Sequence, residues 1–62
     1  MTTIYEYPKG SPRVRLVESD EHPWLSVASL TTELRAAPCW VARAYTTDRD
    51  EAIAAFVQEA RR

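Results

Sequence analysis

The stretch CWVARAYTTDRDEAIAAFVQEARR, residues 39–62, changes from an alternating pattern to a helical pattern within a few positions. Its first eight residues alternate, with Trp40, Ala42 and Ala44 on one face, and this period predicts a β-strand. Its later part carries an apolar stripe at helical spacing, formed by Ala52, Ile53, Phe56, Val57 and Ala60. The stretch therefore predicts a strand that leads directly into an amphipathic helix.

The helix is predicted to begin after Asp48. Aspartate is a favoured N-cap residue, because its carboxylate accepts hydrogen bonds from the unpaired N–H groups of the first turn. Glu51 follows three residues later, which is close to the capping-box pattern. The boundary between strand and helix is therefore predicted at residues 46–48.

Two more strands are predicted near the N-terminus. The segments TIYEY and RVRLVE are rich in strand-forming residues. Between them, PKGSP holds the single glycine of the chain between two prolines, which indicates a turn. We expect an antiparallel hairpin whose second strand directs Val14 and Leu16 to one face and Arg13, Arg15 and Val17 to the other.

The middle segment WLSVASLTTELRAA fits either a strand or a helix. Trp24, Val27, Leu30 and Leu34 recur at spacings of three and four, and Pro23 suits the first position of a helix. A hairpin would need a turn in TTELRAAP, which has no Gly, Asn or Asp. The sequence therefore predicts a helix over residues 23–36. The fold class is α+β, with the last helix on a small antiparallel sheet in the order β-β-α-β-α; the alternative is β-β-β-β-α.

A chain of 62 residues predicts a single domain, residues 1–62, with a small hydrophobic core. Cys39 is the only cysteine and His22 the only histidine, so neither an internal disulfide nor a four-ligand zinc site of Cys and His can form. No metal and no cofactor are predicted. Self-association is another way to support so small a core, and a homodimer is therefore one of the expected states.

The composition predicts a folded, cytoplasmic protein. The hydrophobic fraction is 45% and the net charge is −1, unlike the low hydrophobicity and high charge of disordered chains. No apolar run approaches the roughly 18 residues of a membrane span, so no membrane contact is expected. The first residues lack the basic start and apolar core of a signal peptide, and a single free cysteine fits a reducing compartment.

Catalysis is not predicted. The sequence lacks the GxGxxG, GxxxxGK[ST], HExxH and GxSxG patterns. Cys39 and His22 are residue types that can form a nucleophile and its base, but Cys39 starts a predicted strand and His22 lies in the polar segment SDEHP. A buried cysteine and a solvated histidine are the simpler interpretation.

Acidic residues occur in two segments: Glu18, Asp20 and Glu21, and then Asp48, Asp50 and Glu51. Each segment precedes a predicted helix, where a carboxylate that opposes the helix dipole contributes about 0.3–1 kcal/mol. Capping is the simpler interpretation, but a cap needs one or two acids and each segment has three. The surplus predicts a surface for a protein partner with a basic surface. Trp24 would anchor that contact if its ring is exposed.

The alternative partner is a nucleic acid. Positive charge and aromatic rings that stack on bases occur together in the first hairpin, at Lys9, Arg13, Arg15, Tyr5 and Tyr7. Phosphate contacts favour a strongly basic face, whereas this chain is slightly negative. A charged edge strand explains the same residues, so a nucleic acid is the less favoured partner.

The stretch TTDRDEAIAAF resembles the end of HicB-like antitoxin domains, in which a strand leads through a Thr–Asp turn into a helix laid across a sheet. Asp48 and Ala52 stand at matching positions, although the glycine-marked loop expected before the turn is absent. The resemblance implies a protein-binding role, such as neutralising a toxin, and it assigns no functional residue.

The size and charge of the chain also resemble those of phage or mobile-element inhibitors that occupy a charged surface of a host machine, as anti-CRISPR proteins do. This likeness is an analogy and rests on no motif. The predicted function is a non-catalytic protein-interaction module of this inhibitory type.

Overall fold

The computed structural model describes residues 2–20 and 23–62. It contains β1 (Thr2–Tyr7), β2 (Val14–Glu18), β3 (Leu25–Thr31), β4 (Cys39–Thr46) and α1 (Arg49–Ala60). The strands form one antiparallel sheet in the order β1-β2-β3-β4, so each strand pairs with its neighbour in the sequence. The α+β class is confirmed, and the chain follows the second of the two predicted orders, β-β-β-β-α.

The predicted N-terminal hairpin is confirmed. β1 and β2 pair antiparallel, and the connection closes where the N–H of Arg13 donates to the carbonyl oxygen of Tyr7 at 2.9 Å. Gly10 within this connection has a φ of +92°, a backbone region that glycine enters without steric cost. The position of the single glycine is thus explained by the turn that it makes.

The helix predicted over residues 23–36 is wrong, because this segment contains β3 and the loop that follows it. Strand periodicity directs Leu25 and Val27 toward α1, and their side chains are 4% and 1% exposed. Two residues of the supposed helical stripe, Leu30 and Leu34, are instead exposed. β3 lies between β2 and β4, so its backbone groups have hydrogen-bond partners on both sides. A helix in this segment would have left the facing edges of β2 and β4 without these partners.

The connection between β3 and β4, residues 32–38, lacks the Gly, Asn and Asp that favour tight turns. The hydroxyl oxygen of Thr31 accepts a hydrogen bond from the N–H of Glu33 at 3.2 Å, which starts the loop. The carboxylate of Glu33 then pairs with Arg43 of β4, at 2.5 Å from Nη2 to Oε1. Side-chain bonds across the hairpin therefore help to hold a loop that has no typical turn residue.

The core lies between α1 and the two central strands. Val14 and Leu16 of β2 and Leu25 and Val27 of β3 are almost fully buried on the face toward α1. Ala52 of α1 is 0% exposed, because its short side chain lets the helix approach the sheet closely. Around this centre pack the partly buried residues Ile4, Ala44, Ile53, Ala55 and Phe56.

The C-terminal helix is confirmed, with Asp48 as its N-cap. Ala52, Ile53 and Phe56 of the predicted stripe pack toward the sheet, whereas Val57 is 40% exposed. The helix thus covers the face of the sheet that carries Val14, Leu16, Leu25 and Val27.

A β-bulge in β4 changes which side chains share a face. Val27 pairs with Ala44, but the next residue of β3, Ala28, pairs with Ala42, so β4 carries one extra residue between them. The predicted grouping of Trp40, Ala42 and Ala44 is therefore wrong. Ala44 packs against the core, whereas Trp40 and Ala42 lie on the opposite face of the sheet.

Candidate functional site

The antiparallel order brings both acidic segments to one end of the molecule. β2 ends and β3 begins there, and β4 ends and α1 begins there too, since Glu18 pairs with Leu25 and Leu25 with Thr46. We call this region the acidic end; its carboxylates within the described chain are those of Glu18, Asp20, Asp48, Asp50 and Glu51. Glu21, predicted for the same surface, lies outside the described residues.

Arg49 links the two acidic segments. Its Nη2 lies 3.8 Å from Oε2 of Glu18, and both side chains are about half exposed. A solvated ion pair at this distance contributes little to stability. Among the described residues of the acidic end, Arg49 is the one cation, so this end keeps an excess of negative charge.

Helix capping accounts for two of these carboxylates. Oδ1 of Asp48 accepts hydrogen bonds from the N–H groups of Asp50 and Glu51, at 2.9 and 3.3 Å. Glu51 accepts the hydroxyl of Thr46 at 2.9 Å, and Thr46 in turn accepts the N–H of Asp48 at 3.0 Å. In an ordinary capping box the Glu51 carboxylate would accept the Asp48 N–H directly. Here the hydroxyl of Thr46 lies between them and bonds to both groups.

Capping does not account for Glu18 and Asp20. In the described chain the segment after them enters β3 rather than a helix, so the predicted role of Asp20 at a helix start is wrong. Glu18 ends β2, and its side chain is 48% exposed. Helix capping therefore does not explain why Glu18 and Asp20 are acidic.

Positive charge collects at the opposite end. The turn of residues 8–13, the loop of residues 32–38 and the end of α1 meet there, and we call this region the basic end. Its cations include Lys9, Arg13, Arg35, Arg61 and Arg62. The described carboxylates there are paired, Glu33 with Arg43 and Glu59 with Arg62. The chain's net charge of −1 thus conceals two oppositely charged ends.

The residues predicted as a nucleic-acid patch do not share one surface. Arg13 turns toward α1, where its Nη2 donates to the carbonyl oxygen of Ala60 at 2.6 Å, contrary to the predicted alternation. Tyr5 also lies on the helix side, with its ring centroid 6.0 Å from that of Phe56. Tyr7 lies on this same side, under Arg13. Lys9 is exposed in the turn and Arg15 points to the other face of the sheet, so the five residues are divided between surfaces.

The face of the sheet opposite α1, which we call the open face, carries its own layer of large side chains. The guanidinium of Arg15 lies 4.2 Å from the centroid of the Trp40 ring. Ala28, which pairs with both Arg15 and Ala42, is only 7% exposed, because its small side chain lies beneath these larger groups. Side chains alone therefore shield the middle of the open face.

Trp24 and Tyr45 line one shallow apolar depression at the acidic end of the open face. Their side chains are 46% and 69% exposed. The condition set for Trp24, an exposed ring, is met. However, the indole lies on the open side of the sheet, whereas Glu18 and Arg49 meet on the helix side. Tyr45 was missed, because strict alternation would place it opposite Trp40, and the bulge brings both rings to one face.

A second depression, of about 340 Å³, lies between β4 and α1. Its floor consists of the short side chains of Ala44, Ala54 and Ala55. Thr46 and Glu51 border it toward the acidic end. An apolar floor that ends at a carboxylate suits the aliphatic stem and charged head of a lysine or arginine side chain.

The described residues offer no further chemical centre. Within residues 2–20 and 23–62, no group of three or more His, Cys, Asp or Glu side chains could hold a metal ion. Cys39 is partly buried at the start of β4. His22, the residue weighed as its base in the sequence, lies outside the described chain. The described part of the protein has no helix that is long and apolar enough to cross a membrane.

No family model, no characterised protein and no solved structure matches this chain. The resemblance to HicB-like antitoxin domains therefore stays a prediction from the sequence.

Proposed function

We propose that this protein is a non-catalytic protein-interaction module that binds a basic surface of a partner through its acidic end. The observation that carries the proposal is the meeting of two separate acidic segments at one end of the fold. Glu18 and Asp20 arrive there from β2, and Asp48, Asp50 and Glu51 from the start of α1.

The electrostatics of the acidic end suit rapid association with a cation-rich surface. Five described carboxylates face a single described arginine, Arg49, at this end. Carboxylates at an exposed rim raise the local concentration of positively charged partners and orient their approach. Because solvent screens these charges, the association should weaken as the salt concentration rises.

The groove beside Glu51 supports the same partner class. A lysine or arginine of the partner would lie with its methylene groups over Ala44, Ala54 and Ala55 and its charge at the Glu51 carboxylate. The apolar floor adds contact area that an acidic rim alone does not provide.

Machines that handle nucleic acids carry strongly basic surfaces, because those surfaces neutralise phosphates. Such a machine is the partner that we propose, and occupation of its basic surface would inhibit it. This is the mode of action expected of an antitoxin-like or anti-CRISPR-like inhibitor.

The test is a pull-down from host lysate with tagged protein, with and without nuclease, read by mass spectrometry. The double variant Glu18→Gln with Asp50→Asn should lose a partner that the wild type retains after nuclease treatment. The matched control, Glu6→Gln with Glu59→Gln, removes the same charge away from the acidic end and should retain the partner. Equal capture by both double variants would contradict the proposal.

The second candidate function is binding to nucleic acid through the basic end. The observation that favours it is the gathering of Lys9, Arg35 and the terminal arginines at that end. This function would be favoured over the first if the captured material disappears after nuclease treatment. The double variant Lys9→Ala with Arg61→Ala should then also capture less of it. The salt dependence of binding should then become flatter in that variant.

A further inference from the structure

The open face of the sheet exposes more apolar surface than a solvated sheet face usually does. Trp24, Leu30 and Tyr45 are 46%, 38% and 69% exposed, and Trp40 and Ala42 lie among them. Sheets in small domains generally bury an apolar face against another layer, and contiguous apolar patches mark interaction sites. α1 covers the other face, and no other helix or strand of the described chain packs on this one.

The charges on the open face favour a second copy of this chain over a charged partner. Glu6 and Arg15 are the charged strand residues on this face, and they stand opposite each other in the register of β1 and β2. The face is therefore neutral, so two copies can approach without repulsion. A strongly basic or acidic partner would gain no charge pairing there.

The two charged ends of the molecule select one orientation. When a two-fold axis runs in the interface and across the strands, the acidic end of each copy lies beside the basic end of the other. When the axis runs along the strands, like ends meet and repel. We infer that the open faces of two copies pack together, turned end for end, to form a homodimer.

The size of the face indicates a weak dimer. Four strands spaced about 4.8 Å apart span about 19 Å. Strands of 5 to 8 residues, at about 3.3 Å each, extend roughly 17–26 Å. The projected area of the two faces together is thus about 800 Å². This is below the roughly 1,000 Å² expected of a stable specific interface and fits a weak, transient dimer. We expect a dissociation constant on the order of tens of micromolar.

Packing through the open face leaves the proposed partner surface accessible. Glu18 and Arg49 meet on the side of the sheet that α1 covers, and the groove beside Glu51 also lies on that side. Dimerisation therefore uses the open face, and partner binding uses the helix side of the acidic end, with Tyr45 bordering both. The failure of one proposal would not decide the other.

Sedimentation velocity over a concentration series tests the interface. The wild type should pass from monomer to dimer between about 1 and several hundred micromolar, and Leu30→Glu should raise the dissociation constant at least tenfold. The matched control is Leu34→Glu, which places the same charge on a leucine that is 71% exposed in the loop after β3, and it should behave as wild type. A wild-type monomer throughout, or a Leu30→Glu dimer, would overturn the inference.

Two further measurements distinguish loss of the interface from loss of folding. If circular dichroism shows that Leu30→Glu is unfolded, Ala42→Glu on the open face replaces it. Its control is Val57→Glu, at a residue of α1 that is 40% exposed. Because both tryptophans lie on the open face, the fluorescence maximum should also move to shorter wavelength as the dimer forms. An unchanged maximum across the association would contradict the open-face interface.

Zero-length carbodiimide cross-linking tests the orientation. Lys9 is the only lysine of the chain and lies at the basic end. A cross-link between Lys9 and Asp20, which follows β2 at the acidic end, spans the length of β2 and must join two copies. Its presence in the dimer band is expected, and dimer cross-links that join Lys9 only to Glu33 or Glu59 would overturn the end-for-end arrangement.

Discussion

Arg13 and Ala60 are joined by a hydrogen bond that ties the start of β2 to the last turn of α1. The Nη2 of Arg13 donates to the carbonyl oxygen of Ala60 at 2.6 Å, across 47 positions of the sequence. Carbonyl groups in the last turn of a helix have no partner within the helix, and a cation there also opposes the helix dipole. The contact therefore fixes the end of α1 on the sheet.

Replacing Arg13 with alanine should lower the free energy of unfolding by about 1–2 kcal/mol, because a charge-assisted hydrogen bond to a helix end is lost. Urea denaturation followed by circular dichroism measures the change. Arg35→Ala, which removes an exposed arginine at the same end, should change the stability far less. Equal losses in the two variants would show that Arg13 acts only through its charge.

The contact between Arg15 and Trp40 should be measurable as a coupling between the two side chains. Trp40→Leu uncovers Ala28, and Arg15→Met keeps the aliphatic stem while it removes the cation. A double-mutant cycle should give a coupling of about 0.5–1 kcal/mol, as expected for a cation over an indole ring. The unfolding curves are best recorded at about 1 µM, where the proposed dimer is dissociated. Additive effects would mean that the ring and the guanidinium contribute separately.

Asp48 should stabilise α1 through its N-cap bonds. Asp48→Ala removes the acceptor for the N–H groups of Asp50 and Glu51 and should cost about 1 kcal/mol of stability. Asp48→Asn, whose side-chain oxygen still accepts these bonds, should lose less. Thermal unfolding of both variants beside Asp50→Ala distinguishes the cap from a general effect of charge.

The pair of Glu33 and Arg43 should make the stability depend on acidic pH. Hydrogen bonds from the Arg43 guanidinium, together with its charge, hold the pKa of Glu33 below its ordinary value of 4.5. Because the pKa is lower in the folded state, the pair stabilises the fold above pH 4.5, and this contribution disappears as the pH falls through the folded-state pKa.

An NMR titration of the Glu33 carboxyl checks this direction. The midpoint should lie below 4.5 in the wild type and rise in Arg43→Gln, while Arg35→Gln leaves it unchanged. The difference in unfolding free energy between the wild type and Glu33→Gln should also shrink between pH 6 and pH 3. A midpoint that ignores the loss of Arg43 would contradict the cause.

The N-terminal hairpin and the C-terminal strand and helix could be predicted from the sequence, because the residues that specify them are close together in the chain. The turn PKGSP separates two runs of strand-forming residues, and Asp48 precedes a stripe at helical spacing. In each case the residues that decide the structure lie within a few positions of one another. The hairpin, β4 and α1 were accordingly found within one or two residues of their bounds.

β3 could not be assigned in this way, because its strand state depends on neighbours that are remote in the sequence. Leu25 and Val27 do lie on either side of Ser26 at strand spacing, but Trp24, Val27, Leu30 and Leu34 fit helical spacing equally well. Pairing with β2 and β4 decides between the two patterns, since it satisfies the backbone of β3 on both edges. The loop after β3 was equally hidden, because Thr31 and Glu33 act there in place of the usual turn residues.

The candidate surfaces were identified by residue type but not by position. The acidic residues were recognised as a surplus, yet only the order of the strands shows that Glu18 and Asp48 lie at the same end. The open face was missed, because a bulge of one residue in β4 places Trp40 and Tyr45 on the same side. The position of a bulge depends on how two strands pair, and the pattern of residues within β4 does not predict it.

The sequence by itself determined the short-range features of this protein: the first turn at Gly10, the cap at Asp48, the amphipathic helix, and the exclusion of an internal disulfide. The tertiary structure alone decided that residues 25–31 extend as a strand, which rings share the open face, and which charges meet at each end. The reason is physical, since caps and turns involve neighbours in the chain. Sheet pairing, bulges and the facing of side chains depend instead on backbone hydrogen bonds and burial between segments far apart in sequence.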